Sequence, residues 1–147
     1  MRNIRNCNVV VVGGAGFLGS HLVNYLIEDR GCHVDILDNL SAGRQEFVHP
    51  KANLEIYDIC IKDEESTRQL FGELKPRYVF NYAAMPYVPT SYKRPIFTFN
   101  INAMAAMKVI NAAQEAGCEG ILQVSSAELY GEGGQTVHAP KGKINEG

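Results

Sequence analysis

The sequence predicts an α/β protein: a doubly wound parallel sheet with helices on both faces, in the Rossmann manner. Three observations carry this. Short apolar runs alternate with helical patterns along the chain, and the first run, Asn8–Val12 (NVVVV), empties into a glycine-rich turn that opens a helix. Polar or small residues then recur just after each apolar run, at Gly13–Gly19, Asp38, Asp58, Ala83-Ala84 and Ser125-Ser126. Right-handed crossovers would gather all of them on one edge of the sheet. The expected strand order is 3-2-1-4-5, with a ligand lying where that order reverses.

Asn8–Val12 is apolar almost throughout, as a central parallel strand covered on both faces must be. Gly13, Gly16 and Gly19 give G-x-x-G-x-x-G, and Gly14, Gly16 and Gly19 give G-x-G-x-x-G. Either spacing makes a tight turn and bares the backbone, so that a pyrophosphate can approach the N–H groups of the following helix. That helix spans Phe17–Glu28, with Leu18, Leu22, Tyr25 and Leu26 at helical spacing, and Gly31 ends it.

A second strand, His33–Leu37, ends in Asp38, nineteen positions after Gly19. A carboxylate there can hold the two hydroxyls of an adenosine ribose and repel a 2′-phosphate, which favours NAD over NADP. The alternative is that Asp38 only caps its own turn. Arg44, in the loop that follows, could accept a 2′-phosphate; with the carboxylate present, NAD is expected.

Leu54–Tyr57 is a third strand, and Glu64–Leu74 an amphipathic helix with Leu70, Phe71 and Leu74 inward, broken by Pro76. Tyr78–Tyr82 is the fourth strand. The loop MPYVPTSYKRP carries three prolines and is read as irregular. Ile96–Ala116 is a long helix, apolar over most of its circumference, which needs covering on more than one side. Gly120–Val124 is the fifth strand, and the glycine-rich tail after Gly131 reads as loop. Residues 1–131 are thus expected to form one cofactor domain, with 132–147 a loop or tail.

The bulk numbers suit such a domain: 147 residues, 46% hydrophobic and 20% charged. A formal charge of −2, with no long run of either sign, provides no footprint for nucleic acid or an anionic membrane. No apolar run reaches the length of a membrane span, and MRNIRNCN is too short and polar for a secretory signal. Cys7, Cys32, Cys60 and Cys118 are dispersed, without a C-x-x-C or a Cys/His cluster. Reduced thiols in a cytoplasmic protein, and no metal site, are expected.

Several separated segments match one family in its own order. They are GGAGFLGSHL (Gly13–Leu22), DNLSAG (Asp38–Gly43), Asp58-Ile59, NYAA (Asn81–Ala84), the spacing of Val88, Ser91 and Pro95, NINA (Asn100–Ala103) and SSAELYG (Ser125–Gly131). The sequence resembles the extended short-chain dehydrogenase/reductases, and among them the nucleotide-sugar epimerases and dehydratases, the UDP-glucose 4-epimerase branch most closely.

The resemblance implies that Phe17 and Leu18 direct N–H groups at the pyrophosphate. It places Asp38 and Asn39, with Ser41 and Gly43 in the same segment, at the adenosine ribose. Asp58 would reach the adenine amino group, and Ile59 would pack on the ring. Tyr82, Ala83 and Ala84 would line the nicotinamide side, Asn100 would help position the loop there, and Ser126 would hydrogen-bond the sugar hydroxyl that is oxidised. The implied partners are a UDP- or dTDP-sugar and a second copy of the protein, joined through the helix Ile96–Ala116.

In the family a tyrosine, helped by a lysine, takes the hydroxyl proton, and no Tyr-x-x-x-Lys occurs among these 147 residues. The expectation is therefore the N-terminal cofactor half of a longer enzyme, truncated before the later strands and the substrate domain. A non-catalytic NAD-binding sensor or scaffold on the same fold is the alternative; a methyltransferase is disfavoured by the glycine spacing and Asp38.

Overall fold

The computed structural model describes residues 4–126. Tyr130, Gly131 and the tail expected as loop lie outside the described residues. Five parallel strands form one sheet: β1 (Asn8–Val12), β2 (His33–Asp38), β3 (Asn53–Ile56), β4 (Tyr78–Asn81) and β5 (Gly120–Gln123), in the order β3-β2-β1-β4-β5. This is the predicted order. Val9–Val12 of β1 pair with Val34–Leu37 on one side and with Tyr78–Asn81 on the other.

The strand period of two assigns the valines of β1 to opposite faces. Val9 and Val11 pack with Val23, Leu26 and Ile27 of α1 (Phe17–Glu28), while Val10 and Val12 pack with Phe71 of α2 (Glu64–Leu74) and Val109 of α5 (Ala106–Glu115). All four valines are at most 2% exposed, and burying each stabilises the fold by roughly 1.5–3 kcal/mol. Asp63 caps α2 by accepting the Ser66 amide at 2.6 Å, and Glu64 and Glu65 in its first turn suit the positive end of the helix.

Two expectations are corrected. The inward face of α1 is Gly19, Ser20, Val23, Leu26 and Ile27, whereas Leu18 and Tyr25 are exposed. A β-carbon on Gly19 would fall on the Gly13 carbonyl oxygen, so the helix seats its glycine against the turn and the apolar stripe rotates with it. Tyr25 instead carries the Arg30 guanidinium 5.0 Å from its ring centroid.

The proline-rich loop contains α3 (Val88–Lys93), and Pro95 opens α4 (Pro95–Phe99). Proline at the first positions of a helix removes an N–H that has no partner there, so it starts these helices instead of excluding them. The long apolar helix is therefore α4, a π-helical stretch Asn100–Ala105, and α5. Its outer face leaves Ile96, Phe99, Met104 and Met107 exposed. Among the described residues, no helix is long and apolar enough to cross a membrane.

Candidate functional site

The carboxyl ends of the strands make the site, beginning at the turn after β1. Gly13 has φ +77° and donates its amide to the Leu37 carbonyl at 2.8 Å, which ties the turn to β2. A β-carbon on Gly13 would stand 2.7 Å from the Ala83 nitrogen, and one on Gly16 would stand 3.3 Å from the Gly13 carbonyl. The turn is backbone packed against backbone, which only glycine permits. Gly16 is the N-cap of α1, with no side-chain cap and no acidic residue in the first turn. The positive end of the helix is therefore not neutralised by a side chain of its own first turn. Phe17 and Leu18 have exposed side chains at this end, and Gly19 is buried beneath the turn.

Asp38 closes β2 and is 8% exposed. One carboxylate oxygen accepts the Ala15 amide at 3.0 Å, and the other accepts the Leu40 amide at 2.8 Å. Asp38 thus does cap its turn, and it also ties that turn to the glycine loop. An ionised carboxylate offers about four acceptor positions, so two bonds leave room for a ligand's hydroxyls. Gly43 lies so close that a β-carbon there would meet an Asp38 oxygen at 2.9 Å.

Asn39 donates to Asp58 at 2.9 Å and through its own oxygen holds the Ser41 amide at 3.0 Å. The second Asp58 oxygen accepts the Cys60 amide at 3.0 Å. Burial, with the Asp58 charge adding to it, pushes the Cys60 thiol up, so it stays uncharged at neutral pH. Arg44 pairs with Glu46 at 3.1 Å and lies over Phe47. Its guanidinium is engaged within its own loop.

These parts enclose a crevice of about 590 Å³ across the sheet edge. It is lined by Gly13, Gly16, Asp38, Asn39, Ser41, Gly43, Asp58, Ile59, Tyr82, Ala83, Ala84 and Asn100. Ser126 lies in an adjoining cavity of about 510 Å³ that shares Ala83–Pro86 with the first. The first spans the β1/β4 reversal, and the second lies beside it, between the segments that follow β4 and β5. Among the described residues, no group of acidic, histidine or cysteine side chains could hold a metal ion.

The anchor of the loop after β4 is not where the resemblance implied. Asn102, not Asn100, accepts the Met85 amide at 2.7 Å and donates to the Met85 carbonyl at 3.1 Å. Asn102 sits within the π-helical stretch, whose wider turn changes which side chains face the loop. Asn81, 2% exposed, stands in the sequence only as the first residue of NYAA, yet it braces the same loop. Its oxygen accepts the Ala83 amide at 3.1 Å, and its nitrogen donates to Gln123 of β5 at 2.8 Å. An asparagine ending an otherwise apolar strand was the available signal.

Residues 9–145 match the model of the NAD dependent epimerase/dehydratase family. The chain belongs to that family. It is 35% identical over 124 residues to the UDP-glucose 4-epimerase of Lacticaseibacillus casei, a match covering 84% of this chain and 37% of that protein. With the UDP-glucose 4-epimerase of Rhizobium meliloti (strain 1021) it shares 34% over 128 residues, 87% of this chain and 38% of the other.

The Thermus thermophilus UDP-glucose 4-epimerase in complex with NAD superposes with a TM-score of 0.71 at 33% identity, over 78% of this chain and 36% of that one. The UDP-N-acetylglucosamine 4-epimerase from Methanobrevibacter ruminantium, in complex with UDP-N-acetylmuramic acid, gives 0.76 at 33% identity, over 87% and 40%. The chain therefore spans about two fifths or less of the length of these family members.

Proposed function

We propose that this chain is the NAD-binding half of a nucleotide-sugar 4-epimerase or dehydratase acting on a UDP- or dTDP-sugar. The observation that carries the reading is one crevice holding a bare glycine turn, an uncapped helix N-terminus and, on the neighbouring strand, a nearly buried carboxylate. The close backbone packing at Gly13, Gly16 and Gly19 fits a pyrophosphate, and the two oxygens of Asp38 fit a ribose diol. The Asp38 carboxylate, placed to repel a 2′-phosphate, supports NAD over NADP.

Bound in this crevice, NAD would supply hydride chemistry at a sugar carbon. The residues of this chain orient and bind. Phe17 and Leu18 offer amides to the phosphates, Asp38 and Asn39 hold the adenosine ribose, Asp58 and Ile59 receive the adenine, and Tyr82–Ala84 with Asn100 line the nicotinamide side. Ser126, in the adjoining cavity, holds the sugar hydroxyl. Without a Tyr-x-x-x-Lys, the base that takes its proton and the sugar-binding part lie outside these residues. We assign the cofactor domain to residues 1–131.

The exposed Ile96, Phe99, Met104 and Met107 support a homodimer through this helix. The four free thiols suit a cytoplasmic setting.

Calorimetric titration with NAD and NADP tests the assignment. NAD binds the tighter of the two. Asp38→Ala weakens NAD by about 1.5–3 kcal/mol, the range for hydrogen bonds to a charged group. Preference for NADP, or an unchanged affinity in a folded Asp38→Ala variant, overturns it.

A further inference from the structure

The turn after β3 has an unusual support. Lys108 of α5 reaches into it and donates to the Lys62 carbonyl at 2.7 Å, the Ile59 carbonyl at 3.2 Å and the Cys60 carbonyl at 3.4 Å. Inside the turn the Ile61 and Lys62 amides both point back to the Asp58 carbonyl, at 3.1 and 3.0 Å. The remaining carbonyl oxygens are thereby turned toward α5, where one ammonium with three donors gathers them. The same turn carries Asp58, which accepts from Cys60 and Asn39, and Ile59; both line the crevice. Six residues earlier on the same helical run, Asn102 holds the Met85 backbone on the opposite wall. One helical run grips both sides of the crevice.

We propose that Lys108 is a positioning residue for the adenine end of the dinucleotide site. It sets where Asp58 and Ile59 stand by holding the carbonyls of their turn, without touching the ligand. The proposal rests on the NAD assignment above. A lysine that only packs α5 against the loop would affect stability, or all ligands alike; a positioning lysine affects ligands according to whether they carry adenine.

The test uses the whole protein, with Lys108→Met, which keeps the apolar stem, and Lys108→Arg, which keeps a cationic donor. Saturation-transfer NMR measures ADP-ribose, which has adenine and no nicotinamide, and nicotinamide mononucleotide, which has the reverse. Lys108→Met weakens ADP-ribose about tenfold, the size of one lost charge-assisted contact, and leaves the mononucleotide within about twofold. Lys108→Arg recovers most of the loss. Equal weakening of both ligands, or none of either, overturns the proposal.

Should Lys108→Met fail to fold, Lys108→Gln, which is shorter and uncharged, takes its place with the same two ligands. Equal weakening of both, or of neither, again overturns the proposal. If the unaltered protein binds neither ADP-ribose nor NAD, the NAD assignment itself fails, and the role of Lys108 with it.

Discussion

Gly13 and Ala83 meet so closely that a β-carbon on the glycine would stand 2.7 Å from the alanine amide nitrogen. This contact joins the turn after β1 to the segment after β4, across the point where the strand order reverses. Gly13→Ala adds left-handed backbone strain of about 1–2 kcal/mol and an overpacking cost of about 1–3 kcal/mol. The expected loss of stability is about 2–5 kcal/mol from those two sources, read by urea denaturation. A loss below about 1 kcal/mol would show that the turn relaxes freely.

Asn102 and Asn100 separate in a paired experiment. Asn102→Ala removes both bonds to Met85, at about 0.5–1.5 kcal/mol each, and speeds hydrogen exchange at the Met85 amide. Asn100→Ala leaves that exchange rate unchanged. The opposite pattern would return the anchoring role to Asn100.

At the other end of the sheet, Glu119 accepts from Arg77 at 2.7 Å and from the Tyr78 hydroxyl at 3.1 Å. The Arg77 hydrogen bond, aided by Tyr78, holds its carboxyl below the usual value of 4.5. A carboxylate whose folded pKa is depressed stabilises the fold above its unfolded value, and this is lost as pH falls through the folded one. The difference in melting temperature between the parent and Glu119→Gln is therefore full near neutral pH and shrinks below about pH 4.5. A difference that stays constant across that window would remove Glu119 as the cause.

The exposed helix face has its own test. Met107 is 53% exposed and Phe99 60%, beside Ile96 and Met104. In the whole protein, Met107→Lys places a charge on the proposed dimer interface and shifts sedimentation from dimer toward monomer. A monomeric parent protein would dispose of the interface at once.

The glycine turn, the strand order and the positions of Asp38, Asp58 and Ala83 were legible in the chain, because each rests on short-range patterns: a run of valines, a glycine spacing, an acid after a strand. Right-handed crossovers then leave few ways to order the strands. The partners of these groups were not legible. Met85 is held by a residue 17 positions away, Asn81 by one 42 away, and the turn after Asp58 by Lys108, up to 49 away. Periodicity reports which face of an element is apolar, not which polar atom meets which across a gap. Even the facing of α1 was set by Gly19 seating on Gly13, a contact of the folded backbone. Short-range pattern in the chain was enough to specify the scaffold and the edge that carries the crevice; which side chains brace that edge emerged from packing, since hydrogen-bond partners are chosen by distances that exist only once the sheet and its helices have come together.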